Sequence, residues 1–317
     1  MACFNILIVS RYQLPNFERA KMEKLDQIGD GFYGIVGTKK EIFIRINHRG
    51  HVNRARHMPQ NSFFIATKSS NNKVYIFDYS KHPSEPESAD DFKPNLTLGG
   101  HTEDGYGLDW NSRLQGHLLS GSNDSKVCYY DINVAKMEDD SQSASPFCTF
   151  TGHDGAVNDI SWHGFHEKLF SSVGDDRQLL LWDVRTEGKP MISMDSQHES
   201  GVLCVAHNPF NPYLIATGSS DKTAALFDCR NMKVRLHTFT GHTNEIYQLC
   251  WSPHYETILA TSSSDKTVRF YDLLRTDNRE KENERTTHCS SEIVGFSCVS
   301  VFIYISQLSV CGMCVCF

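Results

Sequence analysis

The sequence predicts an all-β fold of the β-propeller type, and three observations support this prediction. A histidine-centred pattern recurs five times, each recurrence contains short apolar runs separated by turn residues, and successive recurrences lie 44 to 53 residues apart. Four strands in each repeat of about 40–45 residues is the arrangement of a propeller blade. The chain has 317 residues, which is enough for several blades with buried interfaces between them.

Five histidines define the recurring units. Nineteen residues after each histidine stands a serine or threonine, and thirty residues after it stands an aspartate preceded by an aromatic residue. At the twenty-third position an aspartate occurs in four units and Asn71 in the first. The histidines are His48, His101, His153, His198 and His242. This many shared positions without a gap inside the unit indicate a structural repeat.

The fifth unit illustrates the strands. Its apolar runs are IYQLCW, ETILATSS and TVRFYDLL, which are rich in β-branched and aromatic residues and are separated by turn residues. A fourth strand is expected in the stretch between units, as in VRLHTFTGH. Each unit therefore predicts one four-stranded sheet.

The polar residues of the pattern predict a chain of hydrogen bonds inside each sheet. Buried polar groups need partners, and an aspartate can accept from an imidazole that bonds a hydroxyl, which in turn accepts from an indole N–H. Only the third unit has the full set of four, which we interpret as a structural tetrad: His153, Ser172, Asp176 and Trp182.

The same Ser, His and Asp residues would suit a hydrolase, but five copies of one triad favour a structural role. The segment Gly29–Gly34 fits G-x-G-x-x-G, yet a charged stretch precedes it and a strand-like run follows it, which is the wrong context for a dinucleotide site. We therefore predict no enzymatic activity, no catalytic residues, no metal and no cofactor.

The net charge indicates the kind of partner, and the cysteine content indicates the cellular compartment. The chain has 31 basic and 38 acidic residues, a net charge of −7, which argues against direct nucleic-acid binding and suits basic partners. The 11 cysteines lie singly through most of the chain, as expected for reduced thiols in an intracellular protein.

The repeat resembles the WD-repeat family. Gly-His pairs open three units, and Trp182-Asp183 closes the third. Longer segments look like the histone-binding members, the retinoblastoma-binding and chromatin-assembly-factor small-subunit group. These segments are NHRGHVNRARHMPQN (47–61), FDYSKHPSEP (77–86), GHTEDGYGLDW (100–110), GHLLSGSNDSKVCYYDI (116–132) and ATGSSDKTAALFD (216–228).

The resemblance implies seven blades, whereas the sequence carries five complete units and one partial N-terminal blade. We therefore predict a partial blade and loop over 1–46, propeller units over 47–275, and a charged linker with an apolar, Cys-rich tail outside the propeller over 276–317. We interpret the tail as sequence that does not belong to a propeller blade. A membrane anchor and a metal site at Cys311, Cys314 and Cys316 are the alternatives.

Residues that follow each repeat histidine begin the innermost strand and are expected at one mouth of the channel. They include His51 and Leu203, and the residues predicted to bind peptide: Asn53, Asp104, Tyr106, Asn158, Glu245 and Tyr247. Carboxylates there attract Arg and Lys, and tyrosines stack on their side chains. In the family the matching face binds a basic histone-tail segment.

These features predict a nuclear, non-catalytic scaffold that binds core histones and subunits of chromatin assembly, remodelling or histone-modifying complexes, without a membrane. The alternative is a substrate receptor of a cullin-RING ubiquitin ligase, because the segments ending at Arg185 and Arg230 look like W-D-x-R boxes.

Overall fold

Strands form nearly all the regular structure in the part of the chain that the structure describes. The structure is a computed structural model that describes residues 4–13, 39–88, 91–134, 143–186, 188–276 and 313–316. In these ranges the helical segments are a 3₁₀ turn at Tyr79–Lys81 and a single turn, α1, at Leu273–Thr276. No helix among these residues has the length and apolar character needed to cross a membrane.

The strands are grouped into six sheets, and five of these correspond to the five units. An N-terminal sheet contains β1 (Phe4–Gln13) and β2 (Lys39–Arg49). Blade 1 contains β3 (Val52–Met58), β4 (Asn61–Ser69), β5 (Val74–Asp78) and β6 (Leu96–Leu98). Blade 2 contains β7 (Leu108–Trp110), β8 (His117–Gly121) and β9 (Lys126–Asp131). Next, β10 (Ser143–Ala144) adds in parallel to β6 of blade 1, and β11 (Cys148–Thr151) completes blade 2.

The last three units form blades of the same design. Blade 3 contains β12 (Val157–Trp162), β13 (Leu169–Gly174), β14 (Gln178–Asp183) and β15 (Ile192–Asp195). Blade 4 contains β16 (Val202–His207), β17 (Leu214–Ser219), β18 (Ala224–Asp228) and β19 (Asn231–Phe239). Blade 5 contains β20 (Ile246–Trp251), β21 (Ile258–Ser263) and β22 (Val268–Asp272). The predicted all-β propeller with five blades is therefore confirmed.

The middle strands of each blade are covered on both faces, which explains their continuous apolar runs. All five residues of β5 are buried, as are five of the six residues of β14. A strand packed on both sides has no polar face, so its sequence does not alternate. The tight turn before each third strand uses a residue with positive φ, in the order Asn72, Ser125, Arg177, Lys222 and Lys266.

Adjacent blades pack face to face, and their shared apolar clusters form the core. Blades 2 and 3, for example, bury Leu119, Phe150, Phe170 and Trp182 in one cluster. The first strands β3, β7, β12, β16 and β20 each lie at a sheet edge, and each contacts the next in that order, as expected for strands that line the central channel of a propeller. Indoles link them, since Trp162 Nε1 donates to the Asp109 carbonyl at 3.2 Å.

The C-terminal segment contains one described strand. Within 276–317, predicted to be a linker and a tail outside the propeller, β23 (Met313–Cys316) pairs antiparallel with β1 and makes the N-terminal sheet three-stranded. The physical reason is that β1 pairs with β2 on one edge only, and an apolar segment can satisfy the other edge by strand addition.

Candidate functional site

The four residues of the predicted tetrad form one hydrogen-bonded chain inside blade 3. His153 Nδ1 lies 2.8 Å from Asp176 Oδ2, and its Nε2 lies 2.7 Å from Ser172 Oγ. Trp182 Nε1 donates to the same hydroxyl at 2.8 Å. The chain connects the turn before β12 to β13 and β14, so it ties the three inner strands of the blade together.

Burial shapes the electrostatics of this chain. The side chain of His153 is 1% exposed. Burial opposes ionisation of Asp176, but the hydrogen bond from His153 and backbone N–H groups outweigh it and hold the pKa of that carboxyl below its ordinary value. The side chains of His153, Ser172 and Asp176 are almost fully buried and are paired with one another, as expected of the predicted structural tetrad.

Three other units repeat the same geometry. The histidine Nδ1 lies 2.8 Å from Asp221 in unit four, 2.8 Å from Asp265 in unit five and 3.2 Å from Asp124 in unit two. In each of these units the histidine Nε2 lies 2.7 to 3.1 Å from the hydroxyl nineteen residues on.

Unit one departs from the pattern because it has an asparagine in place of the turn aspartate. Asn71 Nδ2 donates to the Tyr75 hydroxyl at 2.6 Å, and His48 Nδ1 lies 3.0 Å from the Gly50 carbonyl. The bond from His48 Nε2 to Thr67 remains, at 2.9 Å. An amide cannot take the charge-assisted role of a carboxylate, so the histidine bonds to backbone instead.

Blade 1 and blade 2 meet at the channel mouth through two of the predicted binding residues. Asn53 Nδ2 lies 3.4 Å from Asp104 Oδ2 and donates to the Gly105 carbonyl at 3.1 Å. The other oxygen of Asp104 accepts from Asn123 at 2.9 Å. Two amides thus orient this half-buried carboxylate, while the neighbouring Tyr106 ring is 51% exposed.

Blade 5 contributes a similar acid and aromatic pair. The Tyr247 hydroxyl donates to Glu245 Oε2 at 2.6 Å, and the ring of Tyr247 is 45% exposed. This bond fixes both side chains at the start of β20. Each of two blades therefore presents a carboxylate beside an exposed tyrosine.

The structure adds an acid to the mouth that the sequence analysis missed. Asn158 Nδ2 donates to Asp175 Oδ1 at 2.7 Å and to the Val202 carbonyl at 3.0 Å. Asp175 is exposed, and it lies in the turn before β14, not at the start of the innermost strand where we sought acids. The usable signal was the doublet Asp175-Asp176, since the other units carry Ser or Asn at the first position.

The remaining two mouth positions differ in character. His51 is exposed, and its backbone N–H donates to Ser70 Oγ at 3.0 Å. Leu203 is half-buried at the start of β16. The mouth is therefore acidic at blades 2, 3 and 5, and less so at blades 1 and 4.

Two arginines lie at the opposite end of the strands. Arg185 binds Asp183 through Nε at 3.0 Å and Nη2 at 2.5 Å, and Arg230 makes the same pair of contacts with Asp228 at 3.0 and 2.6 Å. The hydrogen bond from Arg185 holds the pKa of Asp183 below its ordinary value. Both arginine side chains are well exposed, at 71% and 64%.

Other predicted sites have little or no structural counterpart. The described residues contain no cluster of three or more His, Cys, Asp or Glu side chains placed to hold a metal ion. The glycine-rich segment Gly29–Gly34 and Cys311 lie outside the described residues.

Comparison with known protein families gives three matches to the family described as WD domain, G-beta repeat. The matched residues are 144–183, 188–228 and 233–272. Each segment takes in most or all of the outermost strand of one blade and the first three strands of the next. WD40 propellers are generally non-enzymatic scaffolds or adaptors in protein–protein interactions. Over these three segments the chain is similar to the WD repeat.

Proposed function

We propose that this protein is a nuclear, histone-binding adaptor subunit of chromatin assembly, remodelling or histone-modifying complexes. It binds Arg- and Lys-rich segments, such as a core histone tail, at the acidic mouth of the channel. The observation that carries the proposal is the set of carboxylates and exposed tyrosines at that mouth, with Asp104 beside Tyr106 and Glu245 beside Tyr247.

The geometry suits a basic extended peptide for two reasons. Carboxylates around one opening sum their fields and attract guanidinium and ammonium groups more strongly than isolated acids do. Exposed tyrosine rings offer a flat surface for an alkyl stem or a guanidinium. Asp104 and Glu245 are also held by hydrogen bonds, so less side-chain entropy is lost when they bind.

The choice of histones as partner rests on the sequence resemblance. The segments 47–61 and 100–110 look like the histone-binding group and contain Asn53, Asp104 and Tyr106. The chromatin complexes and the nuclear location are proposed on the same ground.

Titration of a fluorescent histone H3 tail peptide by anisotropy tests the proposal. We expect Asp104→Ala and Glu245→Ala each to weaken binding about fivefold, because each removes about 1 kcal/mol of attraction. Glu167→Ala, which removes a half-exposed acid at the opposite end of the strands, is the matched control and should have no effect. Absence of binding, or equal loss in all three variants, would contradict the proposal.

A ubiquitin-ligase receptor is the second candidate function. It is favoured by the matched, exposed geometry of Arg185 and Arg230 on the face away from the mouth. Capture of a cullin adaptor that is lost on substitution of both arginines would favour this function over histone binding.

A further inference from the structure

We propose that the central channel is a binding site for a small oxyanion of the phosphate class, centred on the guanidinium of Arg56. The site lies deeper than the peptide-binding mouth and is independent of the proposed histone function. It is built from the first strands of the blades.

Arg56 belongs to a ring of equivalent positions. The residue eight positions after each repeat histidine lies on the first strand of its blade, and the five are Arg56, Asp109, Ser161, Ala206 and Cys250. All five are half-buried although they lie in the middle of the fold, as expected for side chains that line a channel. The ring therefore combines one cation, one carboxyl, one hydroxyl and one thiol.

The two arginines of β3 have different partners. Arg54 Nη1 reaches across the channel to Asp159 Oδ1 on β12 at 2.9 Å, and both side chains are largely buried. The hydrogen bond of Arg56 is from Nη1 to the carbonyl of Ala55, at 3.0 Å. Among the described residues no carboxylate lies within ion-pair distance of Arg56.

The charge balance around Arg56 favours an anion. A guanidinium has five N–H donors, and one of those of Arg56 is used. Burial and the neighbouring charge of Arg54 lower the pKa of Arg56 to about 10, so it is still a cation at neutral pH. A buried cation without a counter-ion is costly, and an added anion removes that cost.

The acid in the same ring does not neutralise Arg56 fully. Burial raises the pKa of Asp109 to about 7, although the backbone N–H of Trp162 donates to its carboxylate at 2.8 Å. Near pH 7 this carboxyl is therefore partly protonated. The carboxyl group of Asp159 is already paired with Arg54, so it is not free to pair with Arg56.

The forked geometry of arginine selects the ligand class. Guanidinium donors match the oxygen spacing of phosphate, sulfate and carboxylate groups in pairs, whereas chloride offers a single acceptor centre. The Ser161 hydroxyl, on β12 at the same level of the ring, donates to the Trp162 carbonyl at 3.4 Å, so Arg56 is the group that selects the ligand.

Isothermal titration of the full chain with inorganic phosphate, at constant ionic strength in chloride, tests the site. We expect saturable binding that Arg56→Gln weakens at least tenfold. Arg113→Gln removes an exposed arginine from the loop after β7 and should leave the affinity unchanged. Binding that is absent in the wild type, or that falls equally in both variants, would overturn the proposal.

A second variant covers the case in which Arg56→Gln does not fold. Cys250→Asp places a carboxylate in the ring near Arg56, where it competes with the ligand. We expect it to lose phosphate binding and to melt at a higher temperature than the wild type in chloride. Retained phosphate binding in folded Cys250→Asp would contradict a site at Arg56.

Discussion

Blade 3 and blade 5 have the same internal relay but differ in how they are covered. His153 and His242 each bond an aspartate at 2.8 Å and a hydroxyl at 2.7 Å. Blade 3 has four strands and blades on both sides, whereas the described part of blade 5 has three strands. The relay is thus the same in a sheet with four described strands and in one with three.

The faces directed away from the preceding blade show the difference. In blade 3, Val173 and Leu179 are fully buried in a cluster with residues of blade 4. In blade 5, Ala260 and Val268 form a small cluster with residues of their own sheet. Ser262 occupies the position of Val173, and its hydroxyl is buried without a partner in the described structure. Burial of a blade therefore depends on its neighbour, which the repeat pattern does not encode.

The largest predicted effect compares two valines on these faces. We expect Val173→Ala to lower the free energy of unfolding by about 2.5 kcal/mol, because it leaves a cavity between two blades. Val268→Ala should lower the free energy of unfolding by about 1 kcal/mol, because neighbouring side chains or water can fill the space that the valine leaves. Urea unfolding of both variants measures the difference. Equal losses would show that Val268 is as well packed as Val173.

The second prediction compares the two relays. Ser172→Ala should cost about 2 kcal/mol, because it leaves the His153 imidazole and the Trp182 indole N–H without their shared partner. Thr261→Val should lower the free energy of unfolding by about 1 kcal/mol, because blade 5 has Tyr271 at the position of Trp182 and so has no indole N–H bonded to this hydroxyl. The same unfolding measurement applies, and Ser193→Ala, at an exposed bond of blade 3, is the control. A larger loss in Thr261→Val would refute the importance of the indole.

The third prediction concerns the pH dependence of stability in acid. Burial opposes ionisation of Asp265, but hydrogen bonds from Thr267 and His242 outweigh it and lower the pKa to about 2. A carboxyl whose pKa is lower in the folded state stabilises it fully above the unfolded value of about 3.9 and stops doing so as the pH falls to about 2. The stability difference between wild type and Asp265→Asn should therefore shrink below pH 4. A difference that grows in acid would be contrary to this assignment.

The within-unit geometry was predictable from the sequence because its residues recur at fixed spacing on adjacent strands. Contacts between units were not predictable from the sequence, because they join side chains that lie far apart in the chain. Arg54 and Asp159 pair across 105 positions, and the fully buried Lys68 donates to Ser120 of the next blade at 2.7 Å. Neither pair belongs to the repeat pattern, so no spacing pointed to it.

The mouth was predicted in part. Asn53 and Asp104 are in contact, as are Glu245 and Tyr247, because these residues begin the innermost strands. Asp175 was missed because it reaches the mouth from a different loop. The pairing of β23 with β1 was missed for another reason, since strand addition depends on an available edge and not on a motif.

Each repeat segment finishes one sheet and starts the next, which has a consequence for how such a chain lengthens. A duplicated segment would not add an independent blade. Its first strand would complete the preceding sheet, and its own sheet would lack an outermost strand until the next segment supplied one. The boundaries of the blades and the boundaries of the matched segments therefore do not coincide. A chain cut between two blades is cut inside a matched segment, and a chain cut between two matched segments is cut inside a sheet.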